Sequence, residues 1–189
     1  FTVAAIVLGV GPPLAAAPHA PRDLPYAEPK KDRQTLDLYA PADGSNHPVV
    51  VWIHGGGWRQ GDKRGVQRKP QAFVDQGLVF VSINYRFVPQ VTVKEMTGDV
   101  AKAIRWVHDH TKEYGGKPDS IFVMGHSAGA HLAALVCTDD RYLKAEGLPL
   151  SIDPTAALNQ QIRDLQNLQA LDLSYSSISE LPPEIGNLT

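Results

Sequence analysis

A short apolar, β-branched run, Ser120 to Met124 (SIFVM), passes without a spacer into Gly125-His126-Ser127-Ala128-Gly129, and that pentapeptide opens into an Ala-rich run, Ala130 to Val136. No other stretch limits the fold so tightly. A strand that becomes a helix across five residues must turn sharply at the middle one, which puts Ser127 in a strained backbone conformation. Glycines are needed at 125 and 129 because side chains there would collide with the strand and helix. The pattern is the G-x-S-x-G nucleophile elbow in its strand-turn-helix context. It predicts Ser127 Oγ exposed above a sheet and the Ala128 N–H at a helix N-terminus, where the dipole favours negative charge.

The rest of the chain supplies the sheet. Gln34 to Tyr39 (QTLDLY) alternates apolar and polar residues and predicts a half-buried strand. Pro48 to His54 (PVVVWIH) and Leu78 to Tyr85 (LVFVSINY) are nearly continuous β-branched and aromatic runs, as expected of parallel strands covered on both faces. Val100, Ala103, Ile104 and Val107 fall at i, i+3, i+4 and i+7 and predict a long helix. Thr97 is its expected cap, Asp99 lies in its expected first turn, and Gly115-Gly116 is the expected stop. Strands alternating with helices give an α/β class with an open parallel sheet, in which ligands bind beyond the carboxyl ends of the strands.

A second loop lies at such an end. His54-Gly55-Gly56-Gly57-Trp58 follows the first apolar strand, and backbone without side chains can approach a carbonyl and donate N–H groups to an oxyanion. A Gly triplet alone often means only a mobile loop, and G-x-S-x-G alone is a modest signal. Together, in this order and each after its own strand, they point to acyl transfer.

Residues of about 34 to 150 resemble the N-terminal half of an α/β-hydrolase esterase of the hormone-sensitive-lipase and feruloyl-esterase-like type. The likeness rests on HGGGW with Gly61-Asp62-Lys63, on the strand ending Asn84-Tyr85-Arg86, on the helix DVAKAIRWV (Asp99 to Val107) and on MGHSAGAHLAAL (Met124 to Leu135). The resemblance implies Ser127 as nucleophile, Gly56, Gly57 and Ala128 as oxyanion donors, and small carboxylic esters as substrates, with aryl formamides hydrolysed by related enzymes. His54, Gly55, Trp58, Gly125 and Gly129 are then expected to shape the loops, His54 without titrating in catalysis.

A serine hydroxyl needs a histidine to take its proton and a carboxylate to hold that histidine; in this fold both follow the serine. Only 62 residues follow Ser127, and none of the seven histidines lies beyond His131. Two or three further strand-helix units, at roughly 30 residues each, do not fit. His131, one turn along the elbow helix, is expected to pack beside the strands, and His126 to point away from the serine. His108 and His110 are expected on the solvated face of the preceding helix. Asp139, Asp140 and Glu146 stand where the family pattern places neither acid nor base. The triad acid and histidine are therefore unassigned.

Two flanking segments read differently. Phe1 to Val10 is apolar and is followed by Gly-Pro-Pro and Ala15-Ala16-Ala17, so residues 1–20 read as the tail of a secretory signal, with a secreted or periplasmic destination; the alternative is an apolar strand. The hydrolase-like part is expected over 21–150 and a junction over 151–161. In 162–189, Ile162 to Ile185 and Leu165 to Leu188 are each 23 apart, which resembles a leucine-rich repeat with Ser176 where its turn residue belongs.

A net charge of -2 argues against nucleic acid and anionic membranes as partners. The single cysteine, Cys137, excludes an intrachain disulfide and a cysteine-rich metal cluster, and no metal or other cofactor is expected. Three readings stay open: a serine esterase acting through Ser127, a non-catalytic remnant binding acyl or aromatic ligands above the elbow, and a protein-interaction module working through 162–189.

Overall fold

A computed structural model describes residues 20–29 and 32–148. The signal-like segment up to residue 19, the junction at 151–161 and the repeat-like segment at 162–189 lie outside the described residues. In chain order the elements are β1 (Leu24–Pro25), β2 (Thr35–Tyr39), β3 (His47–Ile53), α1 (Lys69–Asp75), β4 (Val79–Ile83), α2 (Val93–His110), a short 3-10 turn (Thr111–Tyr114), β5 (Gly116–Gly125), α3 (Ala128–Thr138) and α4 (Asp140–Ala145).

The five strands form one sheet in the order β1-β2-β4-β3-β5. Only β4, β3 and β5 are mutually parallel; β2 runs antiparallel to β4, and β1 antiparallel to β2. The expectation of a parallel sheet thus holds for β4, β3 and β5 and fails for β2 and β1. The reason is chain length: a parallel crossover needs a dozen or more residues, and Tyr39 is separated from His47 by a loop of about seven. Helices α1 and α2 supply the two crossovers that the parallel strands need.

Side-chain alternation sorts the core into two layers. Val49, Val51 and Ile53 of β3, with Val79, Val81 and Ile83 of β4 and Leu36 and Leu38 of β2, face α2 and α3. Val50, Trp52 and Phe80 face the opposite way, onto Phe73 of α1 and Val66. β2 departs from the half-buried strand its pattern predicts. Its outward Asp37 is also buried, because the buried Lys63 ammonium bonds to it from above and bridges it to Asp23. β5 pairs with β3 alone among the described residues, and its Phe122, Val123 and Met124 are only partly buried.

Helix α2 begins earlier than Thr97. Its cap is Thr92, whose side chain accepts from the Glu95 N–H while Glu95 reaches back to the Thr92 N–H, a complete capping box. Thr97 instead lies inside the helix, buried, with its hydroxyl donating to the Val93 carbonyl. Asp99 is likewise no first-turn acid: it is 1% exposed and receives both Arg86 and Gln34. The early start follows from a box signal, T-x-x-E, that lies outside the apolar periodicity. At the other end Gly115 takes a left-handed conformation (φ 77°) and Gly116 already belongs to β5.

Candidate active site

The elbow has the geometry its sequence demands. Ser127 sits at φ 53°, ψ -120°, a combination that L residues avoid, and α3 starts at the next residue. The flanking glycines have a steric cause. A Cβ on Gly125 would lie 2.4 Å from the Gly129 carbonyl oxygen, and one on Gly129 would lie 2.2 Å from the Ile53 carbonyl oxygen. The turn is pinned to β3, because the His126 N–H donates to Ile53 O at 3.1 Å. The elbow helix extends over Ala128–Thr138, longer at both ends than the Ala-rich run.

The Gly-rich loop comes to the same place. A Cβ on Gly55 would stand 3.1 Å from Ser127 Cβ and 2.8 Å from His126 Nδ1, so only bare backbone permits this approach. The Gly56 carbonyl accepts the N–H groups of Arg59 and Gln60, both at 3.1 Å, which closes the loop. Gly56 itself is at φ 123°, and a Cβ on it would meet Gln60 O at 2.0 Å. Gly57, at φ 59°, faces open space.

The donors are free. None of the Gly56, Gly57 and Ala128 N–H groups donates to an acceptor among the described residues, although Ala128 is only 3% exposed. Ala128 is the first residue of α3, where no intrahelical carbonyl is available to its N–H. Ser127 Oγ is also free among the described residues and makes no capping bond to α3. The arrangement offers a free hydroxyl beside backbone donors at a helix N-terminus, which is the equipment for holding a tetrahedral oxyanion.

His54 braces this loop from within the protein. It is 5% exposed, its Nδ1 is 2.7 Å from Gly55 O, and its ring stacks on Tyr85 at 4.5 Å between centroids. The Tyr85 hydroxyl donates to His54 O at 2.9 Å. Burial, with the Arg33 guanidinium nearby, pushes the imidazole below its ordinary range; the Gly55 bond and Asp62 oppose this without overcoming it. Asp62 pairs with Arg64 and accepts from Asn84. Burial works against its ionisation, but those bonds outweigh it and hold its carboxyl well below the usual range.

The other histidines are elsewhere. His126 is exposed beside Gly55. His131 does not pack beside the strands as expected: it is exposed on α3, edge-on to Trp58 at 5.6 Å, because Trp58, at φ 60°, turns its ring toward the helix. His108 bonds the neighbouring Asp109, and His110 stacks on Trp106. Asp139 caps α4 and holds Arg141, while Asp140 pairs with Lys144. No described histidine or carboxylate hydrogen-bonds Ser127. Among the described residues no cluster of three or more metal-ligating side chains occurs, and no helix is long and apolar enough to cross a membrane.

Arg33 carries no sequence signal and yet contacts the loop most extensively. It precedes β2 in a positive-φ conformation and reaches Tyr85 O, Gly61 O, Asn84 Oδ1 and His54 Nε2. Only the positive charge of a loop residue is visible in one dimension. Its partners come from two separate loops, the one after β3 and the one after β4.

The BD-FAE family model matches residues 36–167 of the 189. The chain belongs to the BD-FAE family. Among curated proteins, this BD-FAE chain is 37% identical over 123 residues to a probable isoprenylcysteine alpha-carbonyl methylesterase of Arabidopsis thaliana, covering 65% of this chain and 25% of that protein. It is 40% identical over 122 residues to esterase LipQ of Mycobacterium tuberculosis, covering 60% of this chain and 28% of that one. Among solved structures, esterase B of Lactobacillus rhamnosis, inhibited by a tributyrin phosphonate, superimposes with a TM-score of 0.58 at 28% identity over 70% of this chain and 44% of that one. The chain thus spans about a quarter of these curated relatives. Its fold is that of an α/β-hydrolase esterase, of which the described residues form a part.

Proposed function

We propose that the chain carries the nucleophile half of a serine carboxylesterase site, in which Ser127 Oγ attacks the carbonyl carbon of a small carboxylic ester, the ester C–O bond breaks, and the alcohol leaves with the serine proton, giving an acyl-enzyme. Gly56, Gly57 and Ala128 donate N–H groups to the oxyanion, and His54, Gly55, Trp58, Gly125 and Gly129 hold the two loops in register. The observation that carries this reading is the Ala128 N–H, without an acceptor among the described residues, directly after a serine at φ 53°. The positive φ of Ser127 costs backbone energy, and strain of this kind collects at functional sites; the helix-start N–H beside it is open to a ligand oxygen.

The test is a fluorophosphonate probe followed by peptide mass spectrometry, with hydrolysis of a short-chain p-nitrophenyl ester in parallel. Label on Ser127, and label and turnover both lost in Ser127→Ala, are the expected results. Label on another residue, or turnover that survives the substitution, overturns the reading.

One observation favours a second reading, binding without turnover: no histidine or carboxylate among the described residues bonds Ser127, so nothing described takes its proton. In triad enzymes that lack the base, the oxyanion hole and binding still retain a rate of about 10³ to 10⁴ over water. Folded protein that binds an acyl ligand, seen as a shift of the Ala128 amide resonance, but neither labels nor turns over is the outcome that selects it.

A further inference from the structure

The Gly55–Gly56 peptide is held by a relay that starts outside the Gly-rich loop. The Gly55 carbonyl can only accept, so the His54 Nδ1 at 2.7 Å must carry the proton. The other ring nitrogen, Nε2, lies 3.3 Å from Arg33 Nη2, and a guanidinium can only donate. Both contacts fit the same neutral Nδ1–H tautomer, while the Asn84 side chain, which favours a protonated ring, works against it. Free histidine prefers the Nε2–H form, so the protein selects the minor one, and which nitrogen holds the proton is set by what the other one bonds. Arg33 is itself held in place: Nε donates to Tyr85 O at 2.9 Å, and the guanidinium lies 3.8 Å over the Phe87 ring. The two Nη2 hydrogens are shared among three acceptors, Gly61 O at 2.9 Å, Asn84 Oδ1 at 3.2 Å and His54 Nε2 at 3.3 Å. A peptide unit is planar with C=O and N–H on opposite sides, so fixing the Gly55 carbonyl toward His54 fixes the Gly56 N–H away from it.

We infer that Arg33 is a positioning residue for the oxyanion loop: by donating to His54 Nε2 it locks the Nδ1–H tautomer, whose bond to the Gly55 carbonyl aims the Gly56 N–H. This rests on the hydrolase reading for its purpose, but the tautomer lock stands or falls on its own. The groups facing the imidazole are Arg33 from the segment before β2, Tyr85 and Asn84 from the end of β4, and Asp62 from the loop after β3. Arg33 opposes protonation of the ring and Asp62 favours it. The Gly55 bond and Asn84 favour it too, so losing Arg33 leaves burial alone opposed to them.

Two measurements separate the inference from the function it serves. The first is long-range ¹H–¹⁵N NMR of the imidazole rings in the full chain, with His54 assigned by its absence from His54→Asn. Wild-type protein is expected to show the Nδ1–H tautomer, and Arg33→Met to show a mixture or the Nε2–H form, with the ring titrating at higher pH. Arg33→Lys, which keeps the charge but not the fork, guards against an unfolded Arg33→Met and is expected to give an intermediate pattern. An unchanged tautomer and titration in a folded Arg33 variant overturn the inference, whether or not the protein is an enzyme.

The second measurement is the saturation kinetics of phosphonate labelling. Arg33→Lys is expected to lower the maximal rate about tenfold and leave half-saturation unchanged, a milder loss than the 10² to 10³ for removing one oxyanion donor outright. The carboxamide that His54→Asn introduces can hold the Gly55 carbonyl without any tautomer, so in that background Arg33→Lys is expected to cost less than about threefold. Equal losses in both backgrounds, or an effect on half-saturation alone, also overturns the positioning role. Wild-type protein that shows the lock but takes no label retires the hydrolase reading and leaves the tautomer result standing.

Discussion

At the scale of single residues, the site is governed by where a Cβ can and cannot exist. Gly129 faces Ile53 O so closely that Gly129→Ala must displace backbone, and the expected cost is about 3 kcal/mol or more in urea unfolding. Gly57 has open space around it and only its positive φ to contend with, so Gly57→Ala is expected to cost about 1 kcal/mol. Equal costs would refute this ordering. His54 makes a prediction in pH. Burial depresses its folded pKa below 6.5, so the unfolded chain binds more protons once the pH falls under that value. Its contribution to stability is therefore complete above 6.5 and is lost as pH falls from there toward the folded pKa. Unfolding measured between roughly pH 5 and 8 is expected to show this slope in wild type and to lack it in His54→Asn. Both glycine roles at 125 and 129 were legible from the motif alone, because the collision they avoid is local. The role of Arg33 was not, since none of the groups it bonds is near it in sequence.

Among the elements, α2 shows where local pattern misleads. The apolar spacing of Val100, Ala103, Ile104 and Val107 identifies a helix and its buried face but carries no information about where the first turn begins. That is settled by Thr92 and Glu95, which satisfy each other's N–H groups before the apolar stripe becomes continuous. Thr92→Ala is expected to cost about 1 kcal/mol, read as a lower urea midpoint with unchanged slope. Thr97→Ala, at the position that periodicity favours as the cap, removes one hydroxyl bond to Val93 O and leaves the helix start unaltered. The start of α2 matters to the site because it puts Asp99 in the helix interior, under the loop that follows β4.

For the whole molecule, Asp99 ties that helix to the sheet. Its carboxylate receives Arg86 through two guanidinium nitrogens and a backbone N–H, and Gln34 through its amide, so one buried charge joins α2, the end of β4 and the entry to β2. Removing one partner of a buried pair strands the other, and Asp99→Asn is expected to lose about 3 kcal/mol in urea unfolding. A loss below about 1 kcal/mol would show that the pair is solvated and dispensable. The same segment carries Arg33, next to Gln34. Stability of the β2 entry and placement of the oxyanion loop are therefore coupled through adjacent residues.

The sequence by itself determined the elbow, the Gly-rich loop and the strand-helix alternation, because each depends on contacts within about ten residues: a turn that excludes Cβ atoms, a strand apolar on both faces, a helix with one apolar stripe. It also indicated that Ser127 and the Gly triplet share one end of a sheet, since both follow apolar strands. Tertiary structure was needed to show that β2 runs against β4, that Asp37 and Asp99 are buried with cationic partners, and that His54 is buried between Gly55 and Arg33. Each of these depends on which distant residues the fold brings within about 3 Å, and a charged side chain reads the same in sequence whether it meets water or a buried counter-charge.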